Sequence, residues 1–338
     1  MASIILIGRS PWWLHVAVRS WLLESDQSSS AHDSMPARCI KVHNRRRMFM
    51  SSSPASRIML VTGANSGLGR ATALGLACDG ATVIMICRDA ALGAAAQAAI
   101  IRESGNPAVD LIIADLSSQH AIRQLAQTVL ARYPQLHGLI NNVGASFPTR
   151  RVTVDGIESS LAINHLAAFL LTNLLCDRLI ASAPARIINV GTRITTRMDF
   201  DDLQFEKRPY RALAAYSQTK LGTIHFTYEL ARRLAGTGVT VNCVHPGVFK
   251  SRLGQDDGRQ SWFFRMLGLL GQYVLPDAAQ AAKQIVYLAT SPAVADITGS
   301  YFAAMRPISS PPQTYDRAAN ARLWDLSATL TKLDTEGE

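Results

Sequence analysis

Short apolar runs rich in β-branched residues alternate with longer stretches rich in Ala and Leu from about residue 57 onward. Such apolar runs predict strands buried on both faces, and the longer stretches predict helices between them. The predicted strands cover residues 58–62, 82–87, 109–114, 138–141, 186–190, 239–244 and 300–303. The predicted helices cover residues 67–78, 90–104, 118–132, 155–181, 212–235 and 277–290. The series predicts an α/β fold, with a single doubly wound parallel sheet flanked by helices.

The first 56 residues have a different composition from the rest. They combine broken apolar patches with three arginines at 45–47 and three serines at 51–53. We interpret them as a leader or disordered tail, or as a mis-called start, because Met48 and Met50 lie just before the first predicted strand. An organelle targeting peptide is the alternative. Residues 57–338 are predicted to form one domain.

The distribution of charge and apolar residues excludes several classes of partner. The net charge is +9, but the basic residues are spread along the chain except at 45–47. A nucleic-acid interface needs a concentrated basic face, so no nucleic-acid partner is expected. The five cysteines show no zinc-ligand spacing, so no metal site is expected. No apolar run is long enough to cross a bilayer, and we expect a cytoplasmic protein, with organelle targeting by the leader left open.

A glycine-rich segment joins the first predicted strand to the first predicted helix, and reads Thr62-Gly63-Ala64-Asn65-Ser66-Gly67-Leu68-Gly69. Glycines permit a tight turn and close backbone approach, while the start of the helix directs N–H groups at a pyrophosphate. A tight turn without a ligand is the alternative interpretation. The strand before the segment and the helix after it favour a dinucleotide site.

The tip of the second predicted strand bears on the choice of cofactor. A carboxylate at this position binds the ribose hydroxyl of NAD, whereas a 2′-phosphate requires a basic group. The sequence has Cys87 at the tip, followed by Arg88. This arrangement predicts NADP(H), the alternative being that Arg88 is a solvated residue at the start of the next helix.

Tyr216 and Lys220 are candidates for acid–base chemistry. They lie four residues apart in a predicted helix, so their side chains share one face. A tyrosine with a pKa of about 10 needs a nearby cation to act near neutral pH, and a lysine one turn away supplies it. The pair occurs often by chance, but its position after the glycine-rich turn and the fifth predicted strand favours an active site.

These motifs, with Asp115-Leu116 and Asn141-Asn142-Val143-Gly144 at strand ends, resemble the short-chain dehydrogenase/reductase family over about residues 57–250. The resemblance implies a Rossmann-type NADP-binding catalytic domain, in which the aspartate binds the adenine. Its P-G-x-x-x-T loop is matched with a serine in the last position. The implied cofactor-binding residues are Gly63, Asn65, Ser66, Gly67, Leu68, Gly69, Arg88, Asp115, Leu116, Asn142, Val143, Gly144, Tyr216, Lys220, Pro246, Gly247 and Ser251.

The resemblance also implies a catalytic tetrad. The family's N-V-S-S segment is replaced by Asn189-Val190-Gly191-Thr192, so the hydroxyl that holds the substrate oxygen comes from Thr192. The extra methyl of threonine narrows the pocket. Asn164 matches the asparagine that supports a water-linked proton path through Lys220, and a helix-face asparagine is the alternative. The tetrad is therefore Tyr216, Lys220, Thr192 and Asn164, and His245 is expected to be structural.

The insertion around residues 200–204, together with Cys87-Arg88-Asp89, His245-Pro246-Gly247 and residues 323–327, resembles the retinol dehydrogenase and protochlorophyllide reductase-like branch. This implies an NADP(H)-dependent oxidoreductase that interconverts a small apolar alcohol and its aldehyde or ketone. The alternative is a catalytically weak, redox-responsive NADP(H)-binding module, which the threonine at 192 suggests. Retention of Tyr216 and Lys220 favours the enzyme.

The apolar segment 261–275 falls where the family has its substrate lid. It could line a pocket for a lipid-like substrate or pack on the core, with contact to a membrane surface as the least favoured reading. A homo-oligomer is left open.

Overall fold

A computed structural model describes residues 57–194, 196–247 and 277–333. Predictions for the leader, for Ser251 and for the apolar segment 261–275 lie outside the described residues. Within the described ranges, no helix is long and apolar enough to cross a membrane. The same residues contain no group of three or more His, Cys, Asp or Glu side chains arranged to hold a metal ion.

Strands and helices alternate along the described chain. The strands are β1 (Ile58–Thr62), β2 (Thr82–Cys87), β3 (Val109–Ile113), β4 (Gly138–Asn141), β5 (Ala185–Val190), β6 (Val239–Val244), β7 (Ser300–Ala303) and β8 (Arg306–Ile308). The helices are α1 (Gly67–Cys78), α2 (Ala90–Ser104), α3 (Gln119–Arg132), α4 (Ser159–Leu161), α5 (Ala167–Leu174), α6 (Cys176–Ala181), α7 (Ala212–Arg233), α8 (Ala278–Thr290) and α9 (Arg317–Thr331). A π-helical turn, Ala162–Leu166, joins α4 to α5.

The eight strands form one sheet in the order β3-β2-β1-β4-β5-β6-β7-β8. All pairs are parallel except β7 with β8, which are antiparallel. The strand order reverses between β1 and β4, and the helices cover the sheet on both faces in two apolar clusters. This is the predicted Rossmann-type doubly wound sheet, and it places a ligand crevice at the carboxyl ends of β1 and β4.

The predicted helix 155–181 is wrong in its start and its continuity. Residues before 159 form a turn in which Val152 bridges Glu158 and Gly156 has a φ of +74°. Both carboxylate oxygens of the fully buried Glu158 accept backbone N–H groups of the first helical turn, at 2.8 Å, so the helix begins after it. The carboxylate of Asp155 instead accepts the N–H of Gln119 at the start of α3, at 2.9 Å.

Two further elements, β8 and α9, were not predicted. The indole of Trp324 in α9 packs edge-on against Phe169, with ring centroids 4.9 Å apart, and tilted against Phe226. The guanidinium of Arg233 lies over the Trp324 ring, 4.1 Å from the ring centroid. The helix is thus fixed by residues distant in sequence, which a local apolar pattern does not reveal.

Candidate active site

The glycine-rich turn is tied to the end of β4 by Thr62 and Asn142. The Asn142 side chain donates to the Thr62 carbonyl at 2.8 Å, and the Asn142 backbone N–H donates to the Thr62 hydroxyl at 2.9 Å. Val143 N–H also reaches this hydroxyl, at 3.3 Å. Two segments predicted to bind the cofactor are therefore held together at the reversal point of the sheet.

The glycine-rich turn leaves room only for a glycine at position 69. A Cβ atom on Gly69 would lie 2.2 Å from the Gly63 carbonyl oxygen, and Gly63 itself has a φ of +67°. Within the described part of the chain, the Ser66 side chain makes no capping hydrogen bond to α1, and no carboxylate lies in the first helical turn. The N–H groups at this helix start can therefore receive a pyrophosphate, so the residues present fit a dinucleotide.

The predicted cofactor side chains at the other positions differ in exposure. Leu68 and Leu116 are buried in the two apolar clusters, so their side chains belong to the core. Asn65 and Gly144 are half-buried at the ends of β1 and β4. Asp115 is exposed after β3 and its carboxylate accepts the Ser117 N–H at 2.9 Å.

The tip of β2 separates a buried thiol from an exposed cation. Cys87 is buried, and burial raises the pKa of its thiol to about 11. Arg88 is exposed beside it. The Asp89 carboxylate caps α2 by accepting the Leu92 N–H at 2.8 Å, so Arg88 precedes the helix and does not begin it. The tip therefore offers a guanidinium whose neighbouring carboxylate is engaged by a helix.

Lys220 and Tyr216 lie one turn apart in α7 at the carboxyl edge of the sheet. The Lys220 ammonium is buried, with 4% of the residue exposed, and donates to the Val190 carbonyl at 2.8 Å. Burial lowers the pKa of Lys220 to about 8 and raises that of Tyr216 to about 12. At neutral pH the phenol therefore carries its proton and the lysine is mostly charged.

Asn164 lies in the π-helical turn and is held between two segments. Its Oδ1 accepts the Ala145 N–H at 2.6 Å, and its Nδ2 donates to the Ala145 carbonyl at 2.8 Å and to the Thr219 hydroxyl at 3.0 Å. Thr219 in turn donates to the Tyr216 carbonyl at 2.8 Å. Asn164 thus joins the loop after β4 to the helix that carries Tyr216 and Lys220.

Thr192 follows the end of β5 and is half-buried. The residue before it, Gly191, donates its N–H to the Val244 carbonyl at 2.9 Å. A Cβ atom on Gly191 would lie 2.6 Å from the Cys243 sulfur. The Thr192 segment is therefore packed directly against β6, a contact that the sequence motif does not predict.

The loop after β6 is placed by a glutamine that sequence reasoning missed. The Gln284 amide donates to the Pro246 carbonyl at 3.1 Å and accepts the Ala304 N–H at 2.7 Å. Gly247, the next residue, has a φ of +87°. Gln284 thus positions the loop after β6, which was predicted to bind the cofactor, against the end of β7.

The insertion before α7 is an ordered loop fixed on the helix. The Arg208 guanidinium donates to the Gln218 side-chain oxygen at 2.6 Å and stacks on Phe205, 3.9 Å from the ring centroid. The buried carboxylate of Asp202 accepts backbone N–H groups of residues 206–208. Gln218 lies between Tyr216 and Lys220 in sequence, so the loop is bonded directly to the helix that carries them.

Comparison with known proteins places this arrangement in a family. The model of the short chain dehydrogenase family matches residues 57–262. Human retinol dehydrogenase 13 is 40% identical over 282 residues, which cover 82% of this chain and 85% of the relative. Human retinol dehydrogenase 14 is 39% identical over 292 residues, covering 82% and 87%.

Solved structures show the same fold. An uncharacterized protein from Mycobacterium paratuberculosis superimposes with a TM-score of 0.67 at 33% identity, covering 83% of this chain and 95% of that one. RhlG of Pseudomonas aeruginosa, solved as a complex with NADP, gives a TM-score of 0.57 at 28% identity, covering 73% and 93%.

The fold and the motifs together define an oxidoreductase of the type that binds a nicotinamide cofactor. The chain belongs to the short-chain dehydrogenase family, in its retinol dehydrogenase-like branch. The predicted family and fold class are thus confirmed.

Proposed function

We propose that this protein is an NADP(H)-dependent oxidoreductase that interconverts a small apolar alcohol and its aldehyde or ketone, with Tyr216 as acid and base. The observation that carries the proposal is the buried Lys220 ammonium, fixed 2.8 Å from the Val190 carbonyl one helical turn from the half-buried phenol. A buried cation one helical turn from a phenol, at the ligand crevice of the sheet, is an arrangement typical of proton transfer.

In this proposal the carboxyl ends of β1 to β4 would hold the cofactor. The N–H groups at the start of α1 receive its pyrophosphate, and Arg88 pairs with its 2′-phosphate. Asp115 binds the adenine edge, while residues 142–144 and the Pro246–Gly247 loop lie along the nicotinamide half. When bound, the cofactor supplies hydride to the carbonyl carbon or accepts it from the alcohol carbon.

The residues of the chain handle the oxygen and its proton. Tyr216 donates its proton to the carbonyl oxygen in reduction and takes it back in oxidation. Lys220 stabilises the phenolate left behind, and the Thr192 hydroxyl holds the substrate oxygen as negative charge develops on it. Asn164 fixes the loop after β4 against the helix that carries both groups.

The protonation state of Tyr216 at neutral pH suits carbonyl reduction. Because burial raises the pKa of Tyr216 to about 12, the phenol enters the reaction protonated at neutral pH, as a proton donor must. Alcohol oxidation needs the phenolate, which is scarce at that pH. Carbonyl reduction should slow as pH rises through about 8, because Lys220 then loses the charge that stabilises the phenolate.

The substrate class rests on relatives and on sequence. The names of the two human retinol dehydrogenases specify retinol, an apolar alcohol, as their substrate. The segment 261–275, with its tryptophan and paired phenylalanines, offers apolar side chains for such a substrate. The alternative of a catalytically weak cofactor-binding module is not favoured, because such a protein has no use for a tyrosine beside a buried lysine.

A screen of apolar aldehydes and ketones against the full chain tests the proposal. NADPH consumption is followed by absorbance, with NADH assayed in parallel and acetaldehyde as a polar, short-chain control. We expect turnover of apolar carbonyls, but not of acetaldehyde, with NADPH in preference to NADH. NADPH binding without turnover of any carbonyl or alcohol would favour the binding module instead.

A further inference from the structure

The glycine at position 191 is required by space and not by backbone conformation. Gly191 has an ordinary φ, so a residue with a side chain could adopt its backbone geometry. The obstacle is the Cys243 sulfur, 2.6 Å from the position of a Cβ atom on Gly191. The next nearest atoms, on Tyr301 and Val244, are 3.8 Å away, an ordinary contact distance.

The Cys243 thiol lies between the segment that leads to Thr192 and the helix that carries Lys220. It is fully buried on β6, directly opposite Asn189 of β5 and Tyr301 of β7. Cys243 packs in one apolar cluster with Ile224 of α7 and Tyr301 of β7, and its sulfur lies against Gly191 and within electrostatic range of Lys220. One sulfur therefore contacts both the strand end before Thr192 and the helix that carries Lys220.

The segment packed against this sulfur carries two groups of the proposed reaction. The Val190 carbonyl accepts the hydrogen bond of the Lys220 ammonium at 2.8 Å. Thr192, two residues further on, supplies the proposed donor to the substrate oxygen. Interiors are closely packed, so a change of volume between Gly191 and Cys243 must move this segment or the helix. A displacement of about 1 Å in such a group can cost on the order of 100-fold in rate.

We propose that Cys243 is a positioning residue of the active site: its thiol occupies the space of a side chain at position 191 and so sets where Thr192 and the Val190 carbonyl lie. The proposal rests on the function proposed above. It also accounts for the departure from N-V-S-S, because a serine at 191 and a cysteine at 243 compete for the same volume. The two positions form a compensating pair, with the larger side chain on β6.

A double-variant cycle in the full chain tests this pairing. Gly191→Ser alone should lower kcat about tenfold or more, with the KM for NADPH nearly unchanged. Cys243→Ala alone should lower kcat several-fold, because the segment loses its support. Gly191→Ser combined with Cys243→Ala should restore kcat to within about threefold of the original, since one side chain replaces the other. Cys176→Ala, which removes a half-buried thiol in α6, is the matched control and should leave kcat unchanged.

Melting temperatures of the original protein, the two single variants and the double variant separate a positioning role from a purely structural one. Rescue of both kcat and the melting temperature in the double variant supports the proposal. A double variant that regains its melting temperature but stays as slow as Gly191→Ser would overturn it, as would Gly191→Ser with unchanged kcat. If the original protein has no turnover, the proposed function fails. In that case the melting temperatures alone test whether the two side chains share one space. A double variant whose melting temperature falls by the sum of the two single losses would overturn this, and a double variant that regains the original melting temperature would support it.

Discussion

The side chain of Asn164 holds both polar groups of one residue, Ala145, accepting its N–H at 2.6 Å and donating to its carbonyl at 2.8 Å. This pairing fixes the loop that follows β4, in which a Cβ atom on Gly144 would lie 3.3 Å from the Lys220 nitrogen. The asparagine therefore determines how closely the cofactor-side loop approaches the buried lysine.

Asn164→Ala should destabilise the protein by about 1–3 kcal/mol, because it leaves the N–H and carbonyl of Ala145 without their partner. It should also lower kcat for carbonyl reduction, since the loop after β4 loses its position. Among the described residues, the Asn173 side chain bonds to the Phe169 carbonyl of its own helix, so Asn173→Ala is the matched control. Urea unfolding and kcat measured on both variants test the claim. An Asn164→Ala protein as stable and as active as Asn173→Ala would contradict it.

Arg88→Ala should weaken NADPH binding while leaving NADH binding nearly unchanged. The loss should be about 1.5–3 kcal/mol, the contribution of a hydrogen bond to a charged group. Titration of the protein with both cofactors measures the difference. Arg102→Ala, which removes an exposed arginine near the end of α2, should leave both affinities as they were. Equal affinities for NADPH and NADH in the unaltered protein would rule out the assigned preference.

Thr192→Ala should lower turnover by about 10²–10³-fold, the usual effect of removing one oxyanion donor, with little change in NADPH affinity. Thr192→Ser should preserve activity or raise it, because the hydroxyl remains and the pocket gains room. Steady-state kinetics on the two variants decide the matter. If alanine is tolerated, Thr192 has a structural role only, and another donor holds the substrate oxygen.

Stability should fall in acid through His165, which is buried between the π-helical turn and α9 with its Nε2 2.8 Å from the Ser327 hydroxyl. Burial lowers its pKa from 6.5 to about 3, with His225 adding to the effect. Below pH 6.5 the His165 imidazole therefore binds a proton in the unfolded chain but not in the native protein. The free energy of unfolding should decrease by up to about 1.4 kcal/mol per pH unit from pH 6.5 toward 3.

Urea unfolding between pH 7 and 5 measures this slope. His165→Gln keeps a side-chain amide that can reach Ser327 but does not titrate. The slope of the unfolding free energy against pH should therefore be smaller in this variant, by the uptake of about one proton. His120→Gln, at an exposed position in α3, should leave the slope as it is. An unchanged slope in His165→Gln would show that other groups cause the acid sensitivity.

The sequence predicted the seven strands of the parallel part of the sheet, with boundaries within one residue, because strands buried on both faces are continuous apolar runs. Helix 155–181 was misplaced because a buried carboxylate, Glu158, decides where it begins. The short β8 and the helix α9 were missed, since α9 is fixed by partners such as Phe169 that are far away in sequence.

Some relations between the candidate site residues could also be inferred from the sequence. Tyr216 and Lys220 share a helix, so their spacing was sufficient to relate them. Asn164 and Lys220 both lie close to Gly144 in the structure, and the role of Asn164 in a proton path stays a prediction. Its bonds to Ala145 depend on a π-helical turn with no local signature. The contact of Gly191 with Cys243 joins the end of β5 to β6, two segments far apart in sequence, and the sequence did not predict it.

Carbonyl reduction by Tyr216→Phe, measured as NADPH consumption with the best apolar aldehyde or ketone, tests the central claim most directly. The ring and its packing remain, and only the proton donor is removed. Tyr133→Phe is the matched control, because its hydroxyl bonds to Asp110 at the amino end of β3, opposite the carboxyl edge of the sheet. We expect Tyr216→Phe to lose turnover by at least the 10²–10³-fold expected for Thr192→Ala while still binding NADPH, and Tyr133→Phe to keep its activity. A Tyr216→Phe protein that reduces the substrate as fast as the unaltered enzyme would contradict the account.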